Sequence, residues 1–184
     1  MVRKIILTLC ITYFSLSSFC QVLSKQQLRA NYLQATQRKS ALDSFNTMLT
    51  NIASPSPVEQ SYCGITTAMQ IRYTDGTWGK YRLVVKSKDL LNAAIARDNK
   101  DPELRLMRFM LEHHLPSFLC MSTHLNEDLQ AIFAQENFLD GNIELKKMVA
   151  EFLLGTKRCN ENQVRILERA LNDVKRATLA QAKL

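Results

Sequence analysis

Side chains able to do chemistry are few, and most lie in one region. His113, His114, Cys120 and His124 form the only cluster of metal-ligating types. A zinc site needs ligands that converge on one point. Adjacent histidines on a helix point about 100° apart, so at most one of His113 and His114 can face a shared metal. A helical metalloprotease pattern fails as well, because Phe109 stands where Glu112-His113 would need a preceding histidine. These histidines therefore read as side chains that pack or cap near a helix end, and no cofactor is expected. Nucleophile motifs are missing too: no serine sits in a Gly-x-Ser-x-Gly elbow, and the five glycines build no phosphate-cradling loop. Cys63, between Tyr62 and Gly64, could act as a thiolate only with a histidine beside it in space. Glu127 and Asp128 fall at an expected helix start, where carboxylates favour the helix dipole over acid-base work. The chain reads as non-enzymatic. A small metal-dependent or thiol enzyme using His114, Cys120 and His124 is the alternative.

Binding chemistry is better represented. Arg82 with Lys86, and Arg105 with Arg108, are spaced to share helix faces. Arginine presents a planar fork to carboxylates. Arg82, Arg105, Arg108 and Trp78, the single tryptophan, are thus the candidate residues for holding a protein or peptide. The competing use of the arginines is salt bridging to Glu103, Glu112 or the acidic helix that follows, and that of Trp78 is packing over the helix after it. The formal charge of +7 becomes +5 without Arg3 and Lys4. Its distribution is blocked: +2 over 21–60, +4 over 61–100, −5 over 101–140 and +4 over 141–184. Stacked helix pairs with this pattern would attract their neighbours. Charge this dispersed, on a chain read as exported, does not suit nucleic acid.

The elements that must position these groups are helices. Residues 1–20 have the three parts of a secretory signal: Arg3 and Lys4, an apolar run from Ile5, and small residues at Ser17 and Ser18. Cleavage is placed after Cys20, and lipid anchoring through Cys20 is the alternative. Nothing later approaches a membrane span. The remainder, 21–184, is long enough for one domain with a continuous apolar core. It retains Cys63, Cys120 and Cys159, an odd number, so a fully paired disulfide framework is excluded and a single bridge among them is left open.

Ser24 and Gln27 form a capping box. Leu28, Ala35, Leu42 and Leu49 then recur every seven residues, with Tyr32, Phe45 and Ile52 alongside, which predicts one long helix over 24–53. That heptad also allows a homodimer through the first helix. Ser56, Pro57 and Glu59 open a second helix with Val58, Tyr62, Ile65, Met69 and Tyr73 on its face. A third helix covers about 80–97, with Val84, Leu91, Ala94 and Ile95 inward. Asp101-Pro102 starts a fourth that is apolar on two sides, Leu104, Met107, Leu111 and His114 on one and Leu106, Phe109 and Met110 on the other, and a two-sided helix is usually central. Pro116 ends it. Leu125, Leu129, Ile132 and Phe133 mark a fifth; Leu145, Met148, Val149 and Phe152 a sixth that Gly155 stops; Val164, Leu167, Leu171 and Val174 a seventh begun by Asn160 and Gln163. No stretch alternates apolar and polar residues, so no sheet is expected.

Leu91 and Ala94 ahead of Asp98, then a polar turn and Pro102-Glu103-Leu104, resemble the junction between two tetratricopeptide helix pairs. The fuller run from Asp98 through Pro116-Ser117-Phe118-Leu119 to Glu127-Asp128 is similar to a family of uncharacterised exported bacterial helical proteins, over about a third of the chain. These resemblances imply an all-α array of six to seven antiparallel helices, with a tetratricopeptide-like core over 57–137 and C-terminal helices over 142–184. They further imply a bacterial envelope setting, periplasmic or secreted, and carry no activity; the repeat-like corner together with the missing catalytic motifs points to a scaffold or protein- or peptide-binding role. The third reading, a self-associating structural protein, rests on the first helix.

Overall fold

Each predicted start signal works as chemistry in the computed structural model, which describes residues 23–134 and 143–181. Among the described residues there are eight α-helices and no strand: α1 Lys25–Gln37, α2 Lys39–Thr50, α3 Pro57–Met69, α4 Thr77–Arg97, α5 Pro102–His114, α6 Leu125–Phe133, α7 Ile143–Gly155 and α8 Glu161–Gln181. The signal segment and Cys20 lie outside the described residues, as do 135–142. Ser24 and Ser56 each close a capping box, with Gln27 and Glu59 reaching back to the cap backbone. The Asp101 side chain accepts from the Glu103 N–H at 2.9 Å. Asn160 and Gln163 bond each other's backbone N–H groups at 2.9 Å ahead of α8. Gly155 ends α7 without a positive φ, and the left-handed residue there is Lys157 at φ 55°. Gly76, at φ 76°, is the turn residue that needs glycine, and it lets α4 begin at Thr77 rather than near Lys80.

The long first helix is two helices. Arg38 is extended, at φ −139° and ψ 133°, and separates α1 from α2. Neither glycine nor proline announces this break. Locally, Gln37, Arg38 and Lys39 offer no apolar side chain to hold a helical turn, and the Thr36 hydroxyl bonds the Leu33 carbonyl at 2.7 Å. The heptad survives the break because both halves face the same core: Leu28, Tyr32, Ala35, Leu42, Phe45 and Leu49 are all buried with Tyr62, Leu91, Met107 and Leu111. That seam is consumed inside the chain, which leaves the homodimer reading without its interface.

α5 contributes to every core cluster, as a two-sided helix should. Met107 and Leu111 join the core with α1–α3; Leu106 and Phe109 join Ile132, Val149, Leu153 and Leu167 of α6–α8; Leu104 packs with Ala94 and Ile95. His114, placed on its apolar face by spacing, is exposed. α3 is more enclosed than its apolar stripe implied. It contacts α1, α2, α4 and α5, and residues 61–67 are buried without interruption. Small residues make this feasible. A Cβ on Gly64 would lie 2.8 Å from Leu91 Cγ, so α4 approaches α3 closely only because Gly64 has none. The hydroxyls satisfy themselves on nearby carbonyls: Ser61 on Val58, Thr66 on Tyr62, and Ser87 of α4 on Gly64, at 2.7, 2.8 and 2.7 Å. Tyr73, expected on the α3 face, is exposed at the end of a short 3-10 turn over Gln70–Tyr73.

Charge blocks meet as attraction between layers predicts. Lys25 and Arg29 of α1 reach Asp101 and Glu103 at the start of α5, and Lys88 of α4 lies 3.9 Å from Glu112.

Candidate functional site

The four residues singled out as a binding set divide into two groups. Arg105 and Arg108 are occupied within the fold. Arg108 is buried; its Nε donates to Asp128 Oδ2 at 2.7 Å, one terminal nitrogen to Oδ1 at 2.6 Å and the other to Asn92 Oδ1 at 3.0 Å. Arg105 donates to Glu127, and to Asp128 at 3.1 Å. Burial alone would lower the Arg105 pKa, but its bonds to Glu127 and Asp128 outweigh that and raise it. Arg105 in turn holds the Glu127 carboxyl below its ordinary value. The bidentate pair with a carboxylate of zero side-chain exposure commits Arg108 to the fold, and Arg105 also directs its Nε and a terminal nitrogen to the Asn99 carbonyl, each at 3.4 Å. Both arginines are therefore structural: they tie α5 to α6 and, through Asn92, to α4.

Trp78 and Arg82 lie on a free surface instead. Trp78 is 71% exposed and stacks on Tyr81, itself 41% exposed, with ring centroids 5.7 Å apart. Packing over the start of α4, the competing reading for Trp78, does not occur. Gly76 starts the helix so early that Trp78 falls in its first turn and projects outward. The pair heads a groove of about 810 Å³ along the outer face of α4, continuing through Arg82, Val85, Lys86, Asp89 and Ala93. These positions recur at three- and four-residue intervals, one stripe of a helix. Gln60 of α3, Gln70 of the 3-10 turn and Thr74 make the opposite wall. Because α3 and α4 run antiparallel, Gln60 stands level with the end of α4, where the Arg97 guanidinium donates to its Oε1 at 2.8 Å, while Gln70 stands near Trp78. Tyr81 and the two glutamines were not foreseen. Tyr81 is detectable in retrospect from its three-residue spacing to Trp78; the glutamines are brought in by tertiary packing and leave no local signal.

The histidine and cysteine cluster does not converge. His124 Nδ1 lies 2.7 Å from Glu112 Oε1, and the His124 backbone N–H donates to Oε2 at 2.7 Å. His113 stacks on Phe109, with centroids 6.1 Å apart, and meets Phe152 edge-on. Burial, with the charges of His114 and Arg158, lowers the His113 pKa, and its Nδ1 has no hydrogen-bond partner among the described residues. Among the described residues no three histidine, cysteine or acidic side chains are placed to share a metal ion. Cys63, Cys120 and Cys159 are all free thiols, and Cys120 is exposed rather than buried. Burial raises the pKa of Cys63 and of Cys159, away from thiolate character.

One further polar site is buried beneath α1. Glu103 accepts both forks of Arg29, at 3.0 and 2.9 Å, and the Tyr62 hydroxyl. That bond first of all raises the pKa of Arg29, whereas burial and the Glu103 charge raise that of Tyr62. The triad is closed on itself and joins α1, α3 and α5.

No family model, curated protein or solved structure matches this chain. Among the described residues no helix is long and apolar enough to cross a membrane.

Proposed function

We propose that this chain is an exported, non-enzymatic helical module of the bacterial envelope that holds a protein or peptide segment in the groove along α4, using a tetratricopeptide-like stacking of helix pairs as its frame. One observation carries the binding reading. The single tryptophan is mostly exposed, stacked on a second exposed aromatic, and continuous with a groove that has polar groups on both walls. Exposing two stacked rings forgoes the burial that aromatic side chains usually contribute. Such rings, with arginine nearby, are typical anchors of binding surfaces. Among the described residues no three histidine, cysteine or acidic side chains are placed to share a metal ion, which favours the binding reading over a metal-dependent one.

Panning a random-peptide display library against the full chain tests this, with Trp78→Ser as the counter-target. The proposal expects enriched peptides that bind the full chain and are lost on Trp78→Ser. Peptides that bind both proteins equally, or no enrichment over the counter-target, would overturn it.

A further inference from the structure

Several cations of α1, α4 and α5 have carboxylate partners. Lys25 meets Asp101, Arg29 meets Glu103, Lys88 lies near Glu112, and Arg105 and Arg108 share Glu127 and Asp128. The outer face of α4 departs from that pattern. Arg82, Lys86 and Arg97 are exposed along it, and among the described residues none makes an ion pair. Arg97 is bonded, but to the Pro55 carbonyl and Gln60. A single carboxylate, Asp89, lines the groove beside Arg82 and Lys86. The face is thus positive, and its two groove cations follow the aromatic pair by about one and two helical turns.

Resting on the groove reading above, we propose that the occupant is an acidic peptide segment that sets an apolar side chain on the Trp78–Tyr81 stack and places carboxylates against Arg82 and Lys86. Arginine and lysine are the side chains that read carboxylates, Arg82 by its fork and Lys86 as a point charge. Size agrees. Trp78 to Ala93 spans about 22 Å of helix, which an extended segment of about seven residues covers. Gln60 and Gln70 bring primary amides to the facing wall, and an amide can both donate to a peptide carbonyl and accept from a peptide N–H. An anionic lipid surface would instead favour a cluster of about four to eight basic residues on a convex face. A concave strip with two cations, a carboxylate and amides suits a peptide better.

The test uses peptides recovered by the panning above, each remade with its Asp and Glu changed to Asn and Gln, and again to Lys. Affinities are read on the full chain and on Arg82→Glu/Lys86→Glu, with circular dichroism to confirm folding. The inference expects neutralised peptides to lose about tenfold in Kd on the full chain, and the Lys peptides to regain affinity on the charge-reversed protein. Affinities that ignore both reversals, while Trp78→Ser still abolishes binding, would overturn the acidic occupant and leave the groove reading standing. Binding that survives Trp78→Ser would overturn both. Anionic phospholipid vesicles that shift Trp78 emission, and that acidic peptides fail to displace, would overturn a peptide occupant in favour of a membrane surface.

Discussion

Replacing Arg108 by alanine should be among the more damaging single changes on α5, although sequence spacing alone makes it look like a surface arginine available to a partner. The side chain is buried and makes three hydrogen bonds, two of them to an Asp128 carboxylate with no exposed side-chain surface. Alanine would leave that carboxylate inside the protein with only Arg105, 3.1 Å away, to answer it. Breaking one side of a buried ion pair costs about 3–5 kcal/mol, and the surviving Arg105 contact places the expected loss near 3. For a chain of this length each kcal/mol moves the midpoint by about 2–4 °C, so Tm should fall by roughly 6–12 °C. The loss should come from the stranded charge rather than from missing contacts. Arg108→Met combined with Asp128→Leu should therefore recover most of it, because apolar replacements of a buried pair are often neutral or stabilising. Thermal and urea unfolding followed by circular dichroism, on both single variants and the double, gives the coupling directly. A loss below about 0.5 kcal/mol for Arg108→Ala, the range of ordinary surface substitutions, would refute the structural assignment. So would strictly additive single and double variants.

Other consequences can be checked alongside. Gly64→Ala should lower stability by about 1–3 kcal/mol in urea unfolding, since its Cβ would fall 2.8 Å from Leu91 Cγ in a site with no free space. Tyr62→Phe should cost about 1–3 kcal/mol, because Glu103 keeps Arg29 but loses a buried donor. His113 has a folded pKa below its ordinary value of 6.5, so the unfolded chain takes up its proton first as pH falls. Its contribution to stability is present above about 6.5 and is lost as pH drops towards the folded value, and His113→Gln should flatten that part of a Tm-against-pH curve. Trp78→Ser should change stability by no more than about 0.5 kcal/mol, since the ring covers little of the core.

Helix starts, the core stripes and the central place of α5 were legible in the sequence because each is written locally: a capping box, an apolar period, a proline at a first turn. Val84, Leu91, Ala94 and Ile95 are all buried where their spacing puts them. What failed to show depends on partners distant in sequence. The break at Arg38 has no glycine or proline to mark it. The all-round burial of α3 depends on Leu91 and Ser87 of α4 meeting Gly64, and small polar residues such as Thr66 and Thr67 read as surface until a neighbouring helix covers them. The candidate site divided for the same reason. Arg82 and Arg105 look alike in spacing, and only the position of Asp128 and Glu127, some twenty residues on, makes one structural and leaves the other free. Trp78 was uncertain because its side depends on Gly76 starting α4 one turn early.

The most direct test follows from Trp78 being the only tryptophan, so that fluorescence excited selectively at tryptophan, where the tyrosines do not absorb, reports the groove. Acrylamide quenching of the full chain, alone and with a saturating peptide from the panning experiment, measures how open that ring is in each state. An indole quenched freely in the protein alone, and protected with blue-shifted emission when peptide is bound, is the predicted result. Weak quenching in the free protein, or quenching unchanged by a peptide that demonstrably binds, would contradict the placement of the binding surface on α4.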